Sequence, residues 1–169
     1  VKKVYQKLVD KDKGDCMRAS VASLFELELE EVPNFIELGS DWYSSMWNFF
    51  KERGYNSICT ITKDRHDGDG FLQKVAHFDG GVNGYFYASV KSKTYEGVGH
   101  AVVVDKDLNV VHDPNPSGLC LDLKPEDIVD IMVVHPMVIG ATGKLFTRDD
   151  WDNASEEERN ENTHKSISK

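Results

Sequence analysis

Apolar residues follow two patterns along this chain: helical spacing in the first third and strand-like runs after it. From Cys16 onward, Met17, Val21 and Leu24 recur at i, i+4 and i+7, with Phe25 alongside. Between them the small residues Ala19, Ser20, Ala22 and Ser23 allow close packing. Asp15 is placed to cap this helix, so that Cys16 opens it, and the run ends before Pro33. A second helix is predicted from Asp41 to Arg53. It has Ser40 or Asp41 as cap, a stripe of Trp42, Met46, Phe49 and Phe50, and Gly54 as the residue that ends it. Ahead of both, Val4–Leu8 reads as a short strand leading into the polar loop Asp10–Asp15.

After the second helix the period changes. Tyr55–Thr62 reads as a strand, followed by the charged loop Lys63–Gly70, an ambiguous Phe71–His77 and a turn-rich Phe78–Gly84. Tyr85–Val90, His100–Asp105, Val110–Asp113 and Asp130–His135 read as further strands. Leu123–Ile128 reads as a helical turn with Pro125 at its first position. Helices followed by an antiparallel sheet define an α+β domain. The composition shifts after about Gly140, which divides the chain into a domain over 1–140 and an acidic tail over 141–169. Thr147–Lys169 holds seven acidic and four basic residues and almost nothing apolar beyond Trp151, the mark of a solvated appendage. Ser155 with Glu158 fits a capping box, so a short helix is expected there.

Length and charge narrow the function classes. A chain of 169 residues is one domain of ordinary size. Lys plus Arg is 20 and Asp plus Glu is 29, a net charge of −9, which argues against a nucleic-acid partner and against a polybasic membrane-surface protein. No segment approaches the ~20 apolar residues that span a bilayer. The opening VKKVYQKLVDKDKG lacks the apolar centre of a secretory signal. Cys16, Cys59 and Cys120 are odd in number and widely spaced, which suits neither a disulfide framework nor a zinc ribbon. A reducing, cytoplasmic setting is expected.

Candidate chemistry begins at Cys16. A thiol in the first turn of a helix meets the positive end of the macrodipole and unpaired N–H groups, both of which favour thiolate. The competing reading is a small buried residue beneath the helix. The second feature is the hairpin from His100 to Pro114, HAVVVDKDLNVVHDP. With a two-residue loop, Lys106–Asp107, His100 faces Asp113 directly; with a four-residue loop, Lys106–Asn109, the two are diagonal neighbours. Either way they share a face, because side chains alternate with period two. A three-residue loop would break the arrangement. An Asp so placed can hold one imidazole nitrogen and leave the other for a thiol. Taken singly, His100 is a polar strand start and Asp113 a turn-former before Pro114; the shared face together with the helix-opening Cys16 favours a triad.

The combination GDCMRASVASLF, GHAVVVD and VVHDPNPSG resembles the papain-like cysteine peptidase superfamily, most closely the bacteriocin-processing peptidases that cut after double-glycine leaders. It also resembles small phage-encoded proteins of similar layout. The likeness covers roughly Val4 to Pro136. It implies a papain-like fold, N-terminal helices packed on an antiparallel sheet, with Cys16 as nucleophile, His100 as general base and acid, and Asp113 as the orienting group. It also implies an oxyanion glutamine upstream of the cysteine, and Gln6 is the only glutamine there. Ten positions separate Gln6 from Cys16, more than these families usually have, so a loop through Lys11–Gly14 must absorb the excess.

The implied reaction is acyl transfer or hydrolysis at an amide or isopeptide bond of a peptide or protein substrate, with no nucleotide or metal cofactor. The alternative is a catalytically silent papain-like binding module that sequesters a host protein or peptide. The remaining candidates carry less chemistry. Cys59 and Cys120 have no neighbouring His pattern and read as structural, and His112 is turned by alternation to the face opposite Asp113. His77 and His135 flank strand ends without an evident partner. His66–Gly70 has a hint of a calcium loop without the downstream Glu. Gly97 and Gly99 read as keeping the approach to His100 open, and Trp42, Tyr43 and Trp47 as core or pocket wall.

Overall fold

The computed structural model describes residues 1–62, 71–79, 81–136, 138–139, 145–146 and 153–163. Its elements are α1 (Cys16–Phe25), α2 (Trp42–Lys51), β1 (Tyr55–Thr62), α3 (Phe71–Asp79), β2 (Tyr85–Lys91), β3 (Gly99–Asp105), β4 (Val110–His112), β5 (Ile128–Pro136), β6 (Val138–Ile139), β7 (Leu145–Phe146) and α4 (Glu156–Thr163). Strands β1 to β5 form one antiparallel sheet in the order β1-β5-β2-β3-β4. The α+β class is therefore the one the patterning predicts.

The sheet is covered on both faces, which the predicted order of helices first and sheet second does not anticipate. Alternate residues of the central strands serve two separate cores. Tyr87, Ala101, Val103, Met132 and Val134 point to the side packed by α1 and α2. Phe86, Ala88, Val102, Val104, Ile131 and Val133 point to the other side, where Leu72 and Ala76 of α3 cover them. Burial on both faces is why Ala101–Val104 is apolar at every position. Phe71–His77, ambiguous by period, is helical because it supplies that second cover.

Other expectations shift by small amounts. α2 ends at Lys51, and Gly54, with φ of 88°, follows after one further turn. Pro125 opens a 3₁₀ turn over Pro125–Asp127, as its fixed φ favours. Trp42 and Tyr43 lean on the first core, whereas Trp47 is largely exposed. Val4–Leu8 is not a strand; its backbone groups bond to side chains and loops instead of to a neighbouring strand. The short ribbon of β6 and β7 straddles position 140, where the composition changes. In the tail, the N–H of Glu158 donates to Ser155 Oγ at 3.2 Å, as a capping residue requires. The loop Lys63–Gly70 with its calcium-like motif, the side chains of Cys59 and His135, and Trp151 lie outside the described residues.

The β3–β4 connection sets the geometry of the site. Asp105 N–H donates to Asn109 at 3.1 Å and Leu108 N–H to Asp105 at 3.0 Å, so Lys106, Asp107 and Leu108 form a three-residue loop. Leu108 takes the left-handed conformation, with φ of 62°. That conformation costs an L-residue roughly 1–2 kcal/mol. Burying a leucine side chain contributes about 1.5–3 kcal/mol, and Leu108 is buried in the second core. A three-residue loop alone would put His100 and Asp113 on opposite faces. The ladder, however, pairs Val104 with Val110 and Val103 with His112, leaving Val111 as an extra, bulged residue. The bulge reverses the parity, so the register carried past His112 sets Asp113 diagonal to His100 on one face.

Candidate active site

Cys16 is the first residue of α1, half-buried, as the spacing predicts. The capping role expected of Asp15 is not found: its side chain makes no cap bond. Its carboxylate instead accepts from the N–H groups of Leu8, at 2.8 Å, and Lys7, at 3.3 Å. Two successive donors on the incoming chain outcompete the helix N–H groups for the same oxygens.

His100 stands at the start of β3 with its side chain 10% exposed. Its Nε2 donates to Asp113 Oδ1 at 2.7 Å, which leaves Nδ1 free of Asp113, and the Cys16 thiol lines the same cleft as the ring, near enough for each to shift the other's pKa. Asp113 is fully buried, and both its oxygens are engaged. Oδ1 also accepts from Asn115 N–H, and Oδ2 accepts from Cys120 N–H, both at 2.9 Å.

These contacts order the protonation states. Burial opposes a charged His100, but the bonds to Asp113 and Cys16 prevail and push its pKa up to about 9. Burial likewise opposes a Cys16 thiolate, and the hydrogen bonds from His100 and from backbone groups at Ala101 and Met17 outweigh it, so the thiol lies below its ordinary value. Burial would raise Asp113, yet the donors from His100, Cys120 and Asn115 hold its carboxyl down. Each shift favours the charged form of its group.

Gln6 reaches this site despite the long interval. Val4 N–H donates to Ser23 Oγ at 3.1 Å, Val4 O accepts from His112 Nε2 at 2.7 Å, and Gln6 N–H donates to Pro114 O at 2.9 Å. The intervening residues leave as a closed loop. Asp10 Oδ1 accepts from Asp12 and Lys13 N–H groups, and a Cβ on Gly14 would lie 2.5 Å from Asp10 O, so only glycine fits there. Gln6, Cys16 and His100 line one cleft, with Gly99 and Asn115 beside them. It is narrow, a cavity of about 30 Å³, and at its rim Tyr95 Oη donates to Val9 O at 3.1 Å. A Cβ on Gly99 would meet open space.

Three residues play parts that spacing did not reveal. His112, turned to the opposite face as alternation requires, is 1% exposed and ties down the segment that carries Gln6. Cys120, read as structural, holds Asp113 by its main chain and brings its sulfur within 4.8 Å of both His100 and Asp113. Burial, with the Asp113 charge, pushes its thiol up to about 11. A metal ion on this trio would have to displace the His100–Asp113 bond and the Cys120 proton, because both Asp113 oxygens are already engaged. His77 does have a partner: its Nε2 donates to Asp107 Oδ1 at 2.9 Å, away from the site. Only the sequence proximity of Cys120 to Asp113 could have signalled its role.

No family model, curated protein or solved structure matches the chain. Among the described residues, no helix is long and apolar enough to cross a membrane.

Proposed function

We propose that the protein is a papain-like thiol hydrolase acting on an amide or isopeptide bond of a peptide or protein. Cys16 is the nucleophile, His100 the general base and acid, Asp113 the orienting group and Gln6 an oxyanion donor. The observation that carries this reading is the imidazole of His100, fixed 2.7 Å from Asp113 by one nitrogen and sharing a cleft with the helix-opening Cys16 thiol, whose pKa it lowers. The papain-like assignment rests on that nucleophile at the start of a helix packed against an antiparallel sheet whose adjacent strands deliver the His and the Asp.

In the proposed reaction, the Cys16 thiolate attacks the carbonyl carbon and the displaced electron pair moves onto oxygen. That oxyanion meets the Cys16 main-chain N–H and an amide proton of Gln6. As the C–N bond breaks, His100 gives its Nδ1 proton to the leaving amine, and a thioester remains. His100 then takes a proton from water or an acceptor amine, which attacks the thioester carbonyl; the C–S bond breaks and Cys16 leaves as the thiolate, restoring the thiolate and imidazolium of the first step. Asp113 keeps the ring oriented and its charge stabilises the imidazolium throughout.

The test is the alkylation rate of each cysteine against pH, read by peptide mass spectrometry, in the wild type and in His100→Ala. Cys16 is expected to react fast well below the ordinary thiol pKa of ~8.5, and to lose this in the variant. If Cys16 behaves as an ordinary thiol, the enzyme reading fails and the silent binding module takes its place.

A further inference from the structure

We propose that Asp15 is a positioning residue for the oxyanion side of the site, an inference that rests on the thiol-hydrolase reading. Asp15 grips both main-chain groups of Leu8: its Oδ1 accepts from Leu8 N–H at 2.8 Å, and its own N–H donates to Leu8 O at 3.2 Å. Its second oxygen takes the N–H of Lys7. The same Leu8 carbonyl accepts from Gln6 Nε2 at 2.8 Å. A carboxamide nitrogen carries two protons, so one is fixed on Leu8 and the other is left for the cleft.

Among the described residues, no other hydrogen bond sets the rotation of that amide. Among these residues, Gln6 Oε1 is buried without a hydrogen-bond partner, and the Leu8 carbonyl is the only group there that hydrogen-bonds the Gln6 head. Asp15 also begins the helix of the nucleophile, since its carbonyl accepts from Ala19 N–H at 3.0 Å. One residue thus joins the start of α1 to the segment bearing Gln6 and closes the loop between them. A carboxylate suits the task because two successive N–H groups need two acceptors on one rigid group.

Two probes separate this role from simple structural support. p-Nitrophenyl acetate acylates a thiolate through a tetrahedral oxyanion and releases nitrophenolate. Iodoacetamide alkylates the same thiolate by displacing iodide, with no oxyanion formed. Both rates are read on the Cys16 peptide by mass spectrometry. Removing an oxyanion donor costs enzymes about 10²–10³ in turnover, and with an activated ester a loss of about ten-fold in acylation is expected for Gln6→Ala and for Asp15→Ala, with alkylation unchanged. The double variant should acylate no more slowly than Gln6→Ala alone, because both changes remove one function.

Multiplicative losses, or an Asp15→Ala protein that acylates like the wild type, would overturn the inference. Should Asp15→Ala fail to fold, Asp15→Asn decides. It leaves one acceptor oxygen for the two N–H groups of Lys7 and Leu8, loosening the grip without emptying the site, and is expected to fold, to alkylate normally and to acylate several-fold more slowly; wild-type acylation would overturn the proposal. A Cys16 that neither acylates nor alkylates rapidly in the unaltered protein refutes the enzyme reading instead, and a Gln6→Ala protein with wild-type acylation refutes the oxyanion role of Gln6 and that of Asp15 with it.

Discussion

The imidazole of His100 and the carboxylate of Asp113 stand 2.7 Å apart, although they approach each other only through the combined effect of a three-residue loop and a bulge. The carboxylate is also the acceptor for two main-chain N–H groups, those of Asn115 and Cys120. It therefore serves the loop that follows β4 as much as it serves the imidazole.

Replacing Asp113 separates the two duties. Asp113→Asn keeps an oxygen for one main-chain donor but removes the charge, so the pKa of His100 should fall from about 9 toward its ordinary 6.5. A ring titration by NMR reads this directly, and a value still near 9 would contradict the assigned cause. Asp113→Ala strands both N–H groups, and at roughly 1–3 kcal/mol for each buried unsatisfied donor it should lower the melting temperature markedly more than Asp113→Asn does.

Stability should depend on pH at both ends. The folded pKa of His100 lies above its ordinary value, so its contribution is complete below pH 6.5 and disappears as pH rises through about 9. Asp113 is shifted the other way, so its contribution is present above the ordinary carboxyl value of 3.8 and is lost as pH falls through its depressed folded pKa. Denaturant melts across pH should show the wild type losing its advantage over His100→Ala on the alkaline side. An advantage that persists well above pH 9 would contradict the shift.

His112 should control the segment ahead of the nucleophile. His112→Phe keeps a ring edge-on to Tyr5 but removes the bond to Val4 O. The loss should cost about 1–3 kcal/mol, the penalty for an unpaired buried carbonyl. Hydrogen exchange at the Gln6 amide, bonded to Pro114 O, should accelerate in this variant more than at Val103, in the centre of the sheet. Equal acceleration at both would mean that His112 supports the whole fold, not this segment.

Tyr95 closes the cleft rim. Because the bond to Val9 is exposed, Tyr95→Phe should change global stability little, within the ~0.5–1.5 kcal/mol of a single net hydrogen bond. The cleft cavity, about 30 Å³, admits little more than a water molecule, so bulky reagents need the rim to part. Tyr95→Phe should therefore speed alkylation of Cys16 by a bulky maleimide while leaving iodoacetamide nearly unaffected. A uniform change with both reagents would argue against the rim as the barrier.

Much of this arrangement can be read in the residues. The helical spacing after Cys16 and the β-branched runs place the nucleophile and the hairpin because burial enforces both periods. The shared face of His100 and Asp113 was also legible, but for a different reason than the one found. Even-numbered loops would achieve it simply, whereas the structure uses an odd loop and then Val111 as compensation. Nothing in VVHDP marks that bulge, since Val110 and Val111 are chemically alike. Asp15 illustrates a different limit. Its position before the helix suits a cap, and only the path of Lys7 and Leu8, which follow Val4 held by Ser23 and His112 and Gln6 held by Pro114, turns its carboxylate elsewhere. Both faces of the sheet being buried was hidden differently: Leu72, Val75 and Ala76 stand at helical spacing, but nothing in so short a segment says which face of the sheet they cover.

The bulge at Val111 has a consequence for how the hairpin can vary in length. Insertion or removal of one residue anywhere between Asp105 and His112 exchanges odd for even in the pairing and sends Asp113 to the face opposite His100. Two such changes cancel. Length variants of this hairpin that keep the pair together should therefore differ by even steps, and a single-residue deletion should be rescued by a second one elsewhere in the same stretch. The hairpin counts its residues by parity.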